Sequence, residues 1–315
     1  MPETRLELAR IRAAREVIDP VFLDTPLYRC EALEPVLGCA VSIKLETANP
    51  VRSFKGRGTE VVASGLAGAV VCASAGNLGQ ALAWSGRGRG LDVTVVASRH
   101  ATAAKLDRIR ALGARLELVD GDHELARERA AAIARREGIR LVEDSLDLET
   151  CEGAATIGLE LVDAATSFDA VLLALGGGAL ATGVGHVVRS LAPGTEVLGV
   201  QPAGAPAMTR SWHARRVVTT GPTNTIADGV AGRRPIPEVL ADLLVVAHDA
   251  VLVSEASIIA GIRLLLEHAG LVAEPSAALG IAAILEDRGR FAGRHVVTVV
   301  CGGNVDLSAY RDWVR

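Results

Sequence analysis

The chain has 315 residues, half of them apolar and 22% charged, with a formal net charge of −4; that allows a large core and, at about 150 residues per domain, two domains. It has no Lys/Arg tract and only 3% aromatic residues, which argues against nucleic acid as a main partner and against a stacking platform for single strands. The five cysteines, Cys30, Cys39, Cys72, Cys151 and Cys301, are odd in number, widely spaced and free of any CxxC pattern, as expected of reduced thiols in a cytosolic protein.

The opening stretch MPETRLELAR is charged and helical in character, unlike a secretory leader. Thr4 and Glu7 match a capping box, and Leu8, Ile11, Val17 and Ile18 fall broadly on one face of the helix that should follow. Short apolar runs then alternate with helical patterns. Residues 41–46, 69–74, 92–98, 115–120, 170–175, 196–201 and 295–301 read as strands, several as near-continuous Val/Ile/Leu runs of the kind covered on both faces in parallel sheets. Residues 123–137 and 254–270 read as helices, the second with Ser254 as N-cap and Gly270 just past its end. Pro275 opens a helical pattern over 274–287.

Two long uncharged runs, 61–86 and 170–188, reach the length that raises a membrane question. Glycines break both, and Ser74, Asn77 and Gln80 interrupt the first. Each reads instead as a buried strand, a glycine loop and a helix, so no membrane is expected. The whole is an α/β chain with parallel sheets, in which residues 68–145 form a compact run and the flanking segments complete a discontinuous second domain.

Loops at 74–77 (SAGN), 176–180 (GGGAL), 225–230 (TIADGV) and 301–304 (CGGN) are expected after strands and before helices, the third placed less clearly. In open parallel sheets ligands sit beyond the carboxyl ends of strands. Glycines there turn backbone amides toward an anion, and a following helix N-terminus favours negative charge. Residues 176–180 are therefore either a phosphate cradle or a tight strand-to-helix turn. Gly176, Gly178 and Ala181 also satisfy G-x-G-x-x-A, but Gln201 stands where a dinucleotide fold wants an acid. Scattered histidines and the absence of HExxH give no metal centre, and neither G-x-S-x-G nor a P-loop occurs.

The motifs SFKGRG around Lys55, SAGNLGQA, GGGAL, TIADGV and CGGNVD, in this order, resemble the serine/threonine dehydratase and serine racemase family of pyridoxal-phosphate enzymes. The resemblance runs from residues 25–33 to 301–307. It implies the tryptophan-synthase-β-like type II fold, with two open, twisted, mostly parallel sheets, and pyridoxal 5'-phosphate as cofactor. Residues 1–67 and 146–315 would form the large cofactor domain and 68–145 a small mobile one.

Lys55 matches the family lysine that forms a Schiff base with the pyridoxal aldehyde, with Phe54 beside it. A lysine that must attack needs a partly desolvated site, and its glycine neighbours are expected to let the flat cofactor lie against the backbone. Asn77 resembles the asparagine on the cofactor's phenolic oxygen; it could instead cap its helix. Ser74, Ala75, Gly76, Asn77 and Leu78 resemble the loop that receives the substrate carboxylate. Gly176, Gly177, Gly178, Ala179 and Leu180 resemble the phosphate loop, preceded by Leu175 where some relatives have a fourth glycine. Cys301 resembles the group facing the pyridine nitrogen, where a thiol gives a moderate electron sink suited to β-elimination. Glu274 resembles the glutamate near the ring.

The implied activity is an ammonia-lyase (dehydratase) acting on a threonine- or serine-like 3-hydroxy amino acid, in a cytoplasmic homodimer. Three departures shape that expectation. Ala75 replaces the second serine of racemases, so little racemisation is expected. Leu78 replaces a histidine and bears on substrate choice. Gln201 and Ala207 replace the acids of a divalent-cation site, so no metal is expected. A β-replacement enzyme, faintly suggested by ETANP at 46–50, and a silent ligand-binding protein are the alternatives.

Overall fold

The computed structural model describes residues 3–164 and 166–315. Ten strands occur among them: β1 (Leu27–Arg29), β2 (Ala40–Leu45), β3 (Ala69–Ala73), β4 (Asp92–Ser98), β5 (Arg115–Val119), β6 (Arg140–Val142), β7 (Ala170–Ala174), β8 (Glu196–Pro202), β9 (Asp249–Val253) and β10 (His295–Val300). They form a six-stranded sheet in the order β1-β2-β10-β7-β8-β9 and a four-stranded sheet in the order β5-β4-β3-β6. Every neighbour pair is parallel except β1 with β2.

All seven expected strands are present, each within a residue of its expected end. Their apolar runs are buried on both faces: every residue of β7 is buried, and the central strands β3, β4, β8 and β10 nearly so. Three strands were not expected. β1 and β6 are three residues long, too short to show a period, and β9 is an edge strand with Leu252 partly exposed.

The helices His123–Glu137 and Glu255–Ala269 lie where the sequence places them. Ser254 accepts a hydrogen bond from the Ser257 amide, and Gly270 takes φ 66°. Pro275 opens a 3-10 turn (Pro275–Ala278) that leads into the helix Leu279–Glu286. The capping box is a correction. The first helix is Leu8–Val17 with Glu7 at its N-cap and no side-chain cap; Thr4 Oγ1 lies 2.8 Å from His186 Nδ1 instead. Leu6 and Ile11 bury against the helix Leu148–Val162, which fixes where the first helix starts, and Val17 is exposed. The uncharged runs resolve into strand, loop and helix, with residues 61–64 finishing an earlier helix; no helix among the described residues is long and apolar enough to cross a membrane.

The helix Lys55–Ser64 lies between the two sheets. Its glycines serve packing between helices, a need beyond the room for a ligand expected of them. A Cβ on Gly56 would sit 2.2 Å from the Phe22 ring, and one on Gly58 would sit 2.8 Å from the Thr150 carbonyl oxygen. Opposite, a Cβ on Gly153 would reach within 2.5 Å of Gly58 Cα. The backbones of helices Lys55–Ser64 and Leu148–Val162 therefore touch, as only glycine permits.

Beneath this crossing lies a group of buried charges. Arg57 is fully buried and forms a fork onto Glu46, 2.8 Å to each oxygen, and onto both oxygens of Glu160. Lys44, 1% exposed, donates to Glu160 Oε2 and to the Thr25 carbonyl. Burial opposes the arginine charge, but Glu46 and Glu160 outweigh it and raise the Arg57 pKa. Two cations balance two carboxylates, and Thr25 and Thr156 accept further bonds from the guanidinium, which is the condition under which buried charge is tolerated. Arg57→Leu leaves that balance broken in a dry site. Chemical denaturation should show a loss of about 3–5 kcal/mol; a loss below about 1 kcal/mol would show that the group relaxes into solvent.

Candidate active site

Lys55 is the first residue of its helix, and the segment before it is stitched to the end of β10. The Phe54 amide donates to the Cys301 carbonyl at 3.1 Å, and Ser53 pairs with Gly302 in an isolated bridge. The amine is thereby held at the carboxyl ends of the strands, where parallel sheets place ligands. Its side chain is 16% exposed, with Nζ 2.6 Å from Asp144 Oδ2 and 4.5 Å from the centroid of the Phe54 ring. A narrow cleft passes it, lined by Phe54, Gly58, Thr59, Leu78, Asp144 and Thr150.

The loop after β3 brings Ser74, Ala75, Gly76, Asn77 and Leu78 to the same place. Ser74 Oγ accepts from the Gly76 amide at 3.1 Å, and Gly76, not Asn77, is the N-cap of the helix Asn77–Gly88. Asn77 is therefore not a helix cap. It reaches across to the other sheet's loops, donating from Nδ2 to Glu274 Oε1 and accepting at Oδ1 from Asn304 Nδ2, both at 2.8 Å. Leu78 is buried and faces the cleft.

Glu274 is buried and accepts three hydrogen bonds, from Asn77 Nδ2, Ser276 Oγ and the Asn304 amide. Burial nevertheless wins, helped by the Asp228 charge, and raises its pKa. Gly302 has no room for a side chain, since a Cβ would lie 2.2 Å from Glu274 Oε1. Beside it, burial first and the Glu274 charge second push the Cys301 thiol up to about 12, so it is a neutral thiol at ordinary pH.

The loop after β7 meets Ser145, the residue after Asp144. Gly178 sits at φ 115° and a Cβ there would come within 2.4 Å of Val239; on Gly177 it would meet Ser145 Oγ at 2.6 Å. Residues 225–230 pack on this loop, with Gly176 against Val230, but they follow no strand and end in the 3-10 turn Asp228–Val230, a correction to the expected strand-loop-helix order. Gly178 is the N-cap of the helix Ala179–Leu191. The Ala179 amide donates to Ser145 Oγ at 3.1 Å, while the amides of Gly177, Gly178 and Leu180 donate to no group among the described residues. Unspent amides at the positive end of a 13-residue helix suit an anionic tail. That cradle, with a half-sheltered lysine on the same side of the sheets, fits pyridoxal phosphate.

Of the expected site residues, Phe54, Lys55 and Leu78 line the cleft, while Asn77, Glu274, Cys301 and the 176–180 loop are tied to its surroundings by the hydrogen bonds above. Asp144, Ser145 and Asn304 were missed. Asp144 and Ser145 follow β6, whose three residues gave no strand signal, and so the loop at its carboxyl end was not sought. Asn304 was inside a flagged loop, but nothing local says that its side chain bridges Asn77, the Val51 carbonyl and Arg108. No group of three or more potential metal ligands occurs among the described residues. Gln201 instead accepts from the Thr209 amide at 2.9 Å.

A strand-end lysine, a glycine-rich loop and two mostly parallel sheets define a type II pyridoxal-phosphate fold. A family profile described as "Pyridoxal-phosphate dependent enzyme" matches residues 18–302, and the chain belongs to that family. It is 32% identical to the L-threonine ammonia-lyase of Thermotoga maritima over 96% of this chain and 77% of the relative. It is also 32% identical to the phenylserine dehydratase of Ralstonia pickettii, over 96% and 95%. The structure of the processed form of threonine deaminase isoform 2 from Solanum lycopersicum superposes with a TM-score of 0.90 at 29% identity, covering 99% of this chain and 89% of that one.

Because the Glu274 pKa is raised in the fold, the folded state holds a proton that the unfolded chain has already lost once pH passes the ordinary carboxylate value near about 4.3. Wild-type stability therefore falls with pH from there up to the folded pKa. The stability of Glu274→Gln relative to wild type should climb over the same window in melting experiments on the cofactor-free protein. A difference that is flat with pH would contradict the raised value.

Proposed function

We propose that the protein is a pyridoxal-phosphate-dependent ammonia-lyase that converts a 3-hydroxy amino acid to a 2-oxo acid and ammonia by β-elimination. The observation that carries this is Lys55 Nζ, 16% exposed at the strand ends, on a segment bonded to Cys301 and bridged to Gly302, the residue that packs on Glu274. In this reading Lys55 holds the cofactor covalently, and Phe54, Asn77, Glu274 and Cys301 surround its ring. Gly176, Gly177, Gly178, Ala179 and Leu180 hold its phosphate. When bound, the cofactor supplies an electron sink that makes the substrate's α-proton removable.

The remaining work falls to the chain's own groups. Ser74 to Leu78, at the start of a helix, present amides to the substrate carboxylate. Lys55 Nζ, once freed, takes the α-proton as general base. Cys301 remains an uncharged thiol and so offers the ring nitrogen no carboxylate to hold a proton there, which keeps the sink moderate. Ala75 provides no hydroxyl for a second acid/base on the opposite face, which supports elimination over racemisation. Leu78 and Phe54 give the cleft apolar walls, which support a substrate with an apolar group on its β-carbon. A threonine-like or phenylserine-like side chain meets that description.

Residues 68–145 are assigned as the smaller, moving body and 1–67 with 146–315 as the larger. Support comes from the sheets, since β3 to β6 form the four-stranded sheet by themselves and the other strands form the six-stranded one; polar contacts such as Arg108 with Asn304 at 3.1 Å bridge the division. Five unpaired, buried thiols support a reducing, cytoplasmic setting. A homodimer is the assembly the family resemblance implies.

Borohydride should fix a visible chromophore on Lys55, located by peptide mass. Lys55→Ala should lose both that band and at least about a thousandfold in 2-oxo acid release across a panel of 3-hydroxy amino acids. A colourless protein after addition of pyridoxal phosphate would overturn the reading. Cysteine formed from O-acetylserine and sulfide, without 2-oxo acid, would replace it by β-replacement.

A further inference from the structure

A hydroxyl group leaves a carbon slowly unless it is given a proton, so an elimination of water needs an acid near the β-carbon as well as a base near the α-carbon. Among the residues lining the cleft, only Lys55 and Asp144 ionise. Thr59 Oγ1 is within donating distance of the Lys55 and Gly56 carbonyls, and Thr150 Oγ1 donates to the Asp147 carbonyl. Leu78 stands where relatives would offer an imidazole.

Asp144 is unevenly used. Its Oδ2 holds Lys55 Nζ at 2.6 Å, while Oδ1 is buried with no hydrogen-bond partner among the described residues. A buried, unpaired carboxylate oxygen is costly, and such exceptions call for an explanation. The loop that holds Asp144 is also fixed. Ser145, 1% exposed and at φ 67°, donates its amide to Thr150 Oγ1 at 3.1 Å, and its Oγ accepts the Ala179 amide of the glycine cradle.

The geometry points to Asp144 as a proton relay for the leaving group, an inference that rests on the elimination reading above. The substrate's Cα–H bond breaks, and its proton goes to Lys55 Nζ. Its electron pair becomes, in the net reaction, the second bond between Cα and Cβ. Lys55 passes a proton across the 2.6 Å contact to Asp144 Oδ2. The carboxyl gives a proton to the β-oxygen as the Cβ–O bond breaks, and the bonding pair leaves on water. Lys55 and Asp144 end as they began, and no external acid, oxidant or reductant is needed.

The test compares leaving groups. Chloride departs without a proton, so a 3-chloro amino acid yields the same 2-oxo acid as its 3-hydroxy counterpart without needing the relay. With Asp144→Asn, kcat for the 3-hydroxy substrate should fall by about 10²–10³-fold, and kcat for the 3-chloro substrate by less than about threefold. The visible cofactor band should be unchanged, and α-deuterium should still wash out of the 3-hydroxy substrate, because Lys55 still removes it. Asp144→Glu should recover part of the loss. Equal falls for both leaving groups would make Asp144 a positioning group for Lys55 and overturn the relay, as would no fall for either. A wild-type enzyme that keeps its cofactor band but releases 2-oxo acid from neither substrate would overturn the elimination reading itself.

Discussion

The buried balance among Arg57, Lys44, Glu46 and Glu160 is the constraint on which the site depends. It joins β2, the Lys55 helix and the helix Leu148–Val162 through bonds that cannot be exchanged for water, because every member is buried. A charged group of this kind can add less stability than apolar packing would, but it tolerates only one arrangement. That arrangement fixes the start of the Lys55 helix, two residues before Arg57, against the glycine crossing at Gly58 and Gly153.

From that fixed start the site follows by convergence. Four carboxyl-terminal strand ends meet there: β3 delivers Asn77, β6 delivers Asp144 and Ser145, β7 the glycine cradle and β10 Cys301. Side chains stitch the ends together across the two sheets. Ser145 joins the β6 loop to the cradle, and Asn304 joins Asn77 to Glu274. The site is electrostatically sparing. Burial works against ionisation of both Glu274 and Cys301, and the charged pair at its mouth is Lys55 with Asp144. The amides of the 176–180 loop, at a helix N-terminus, are the part of the site that favours negative charge.

Much of this was legible in residue order. The seven long strands announce themselves as apolar runs because both faces of a parallel sheet are covered, and Ser254 and Gly270 mark their helix by chemistry that acts within a few residues. Lys55, Asn77, the 176–180 loop and Cys301 stood out because each sits in a short motif that carries the family resemblance. β1 and β6 were not readable, since three residues cannot show a period, and Asp144 was lost with β6. The glycines beside Lys55 stand out in the sequence, but what packs on them does not. Their need arises from Phe22 and from a helix almost a hundred residues later, which no local window contains.

The sequence by itself determined the fold class, because apolar periodicity is local, and its ordered motifs carried the family resemblance that implied the lysine, the anion cradle and the cofactor. The tertiary structure alone decided that Asn77 spans to Glu274 instead of capping its helix, that Glu274 resists ionisation despite three donors, and that a carboxylate 89 residues away lies on Lys55. Burial and long-range hydrogen bonding are properties of neighbours in space, and chain order does not record them.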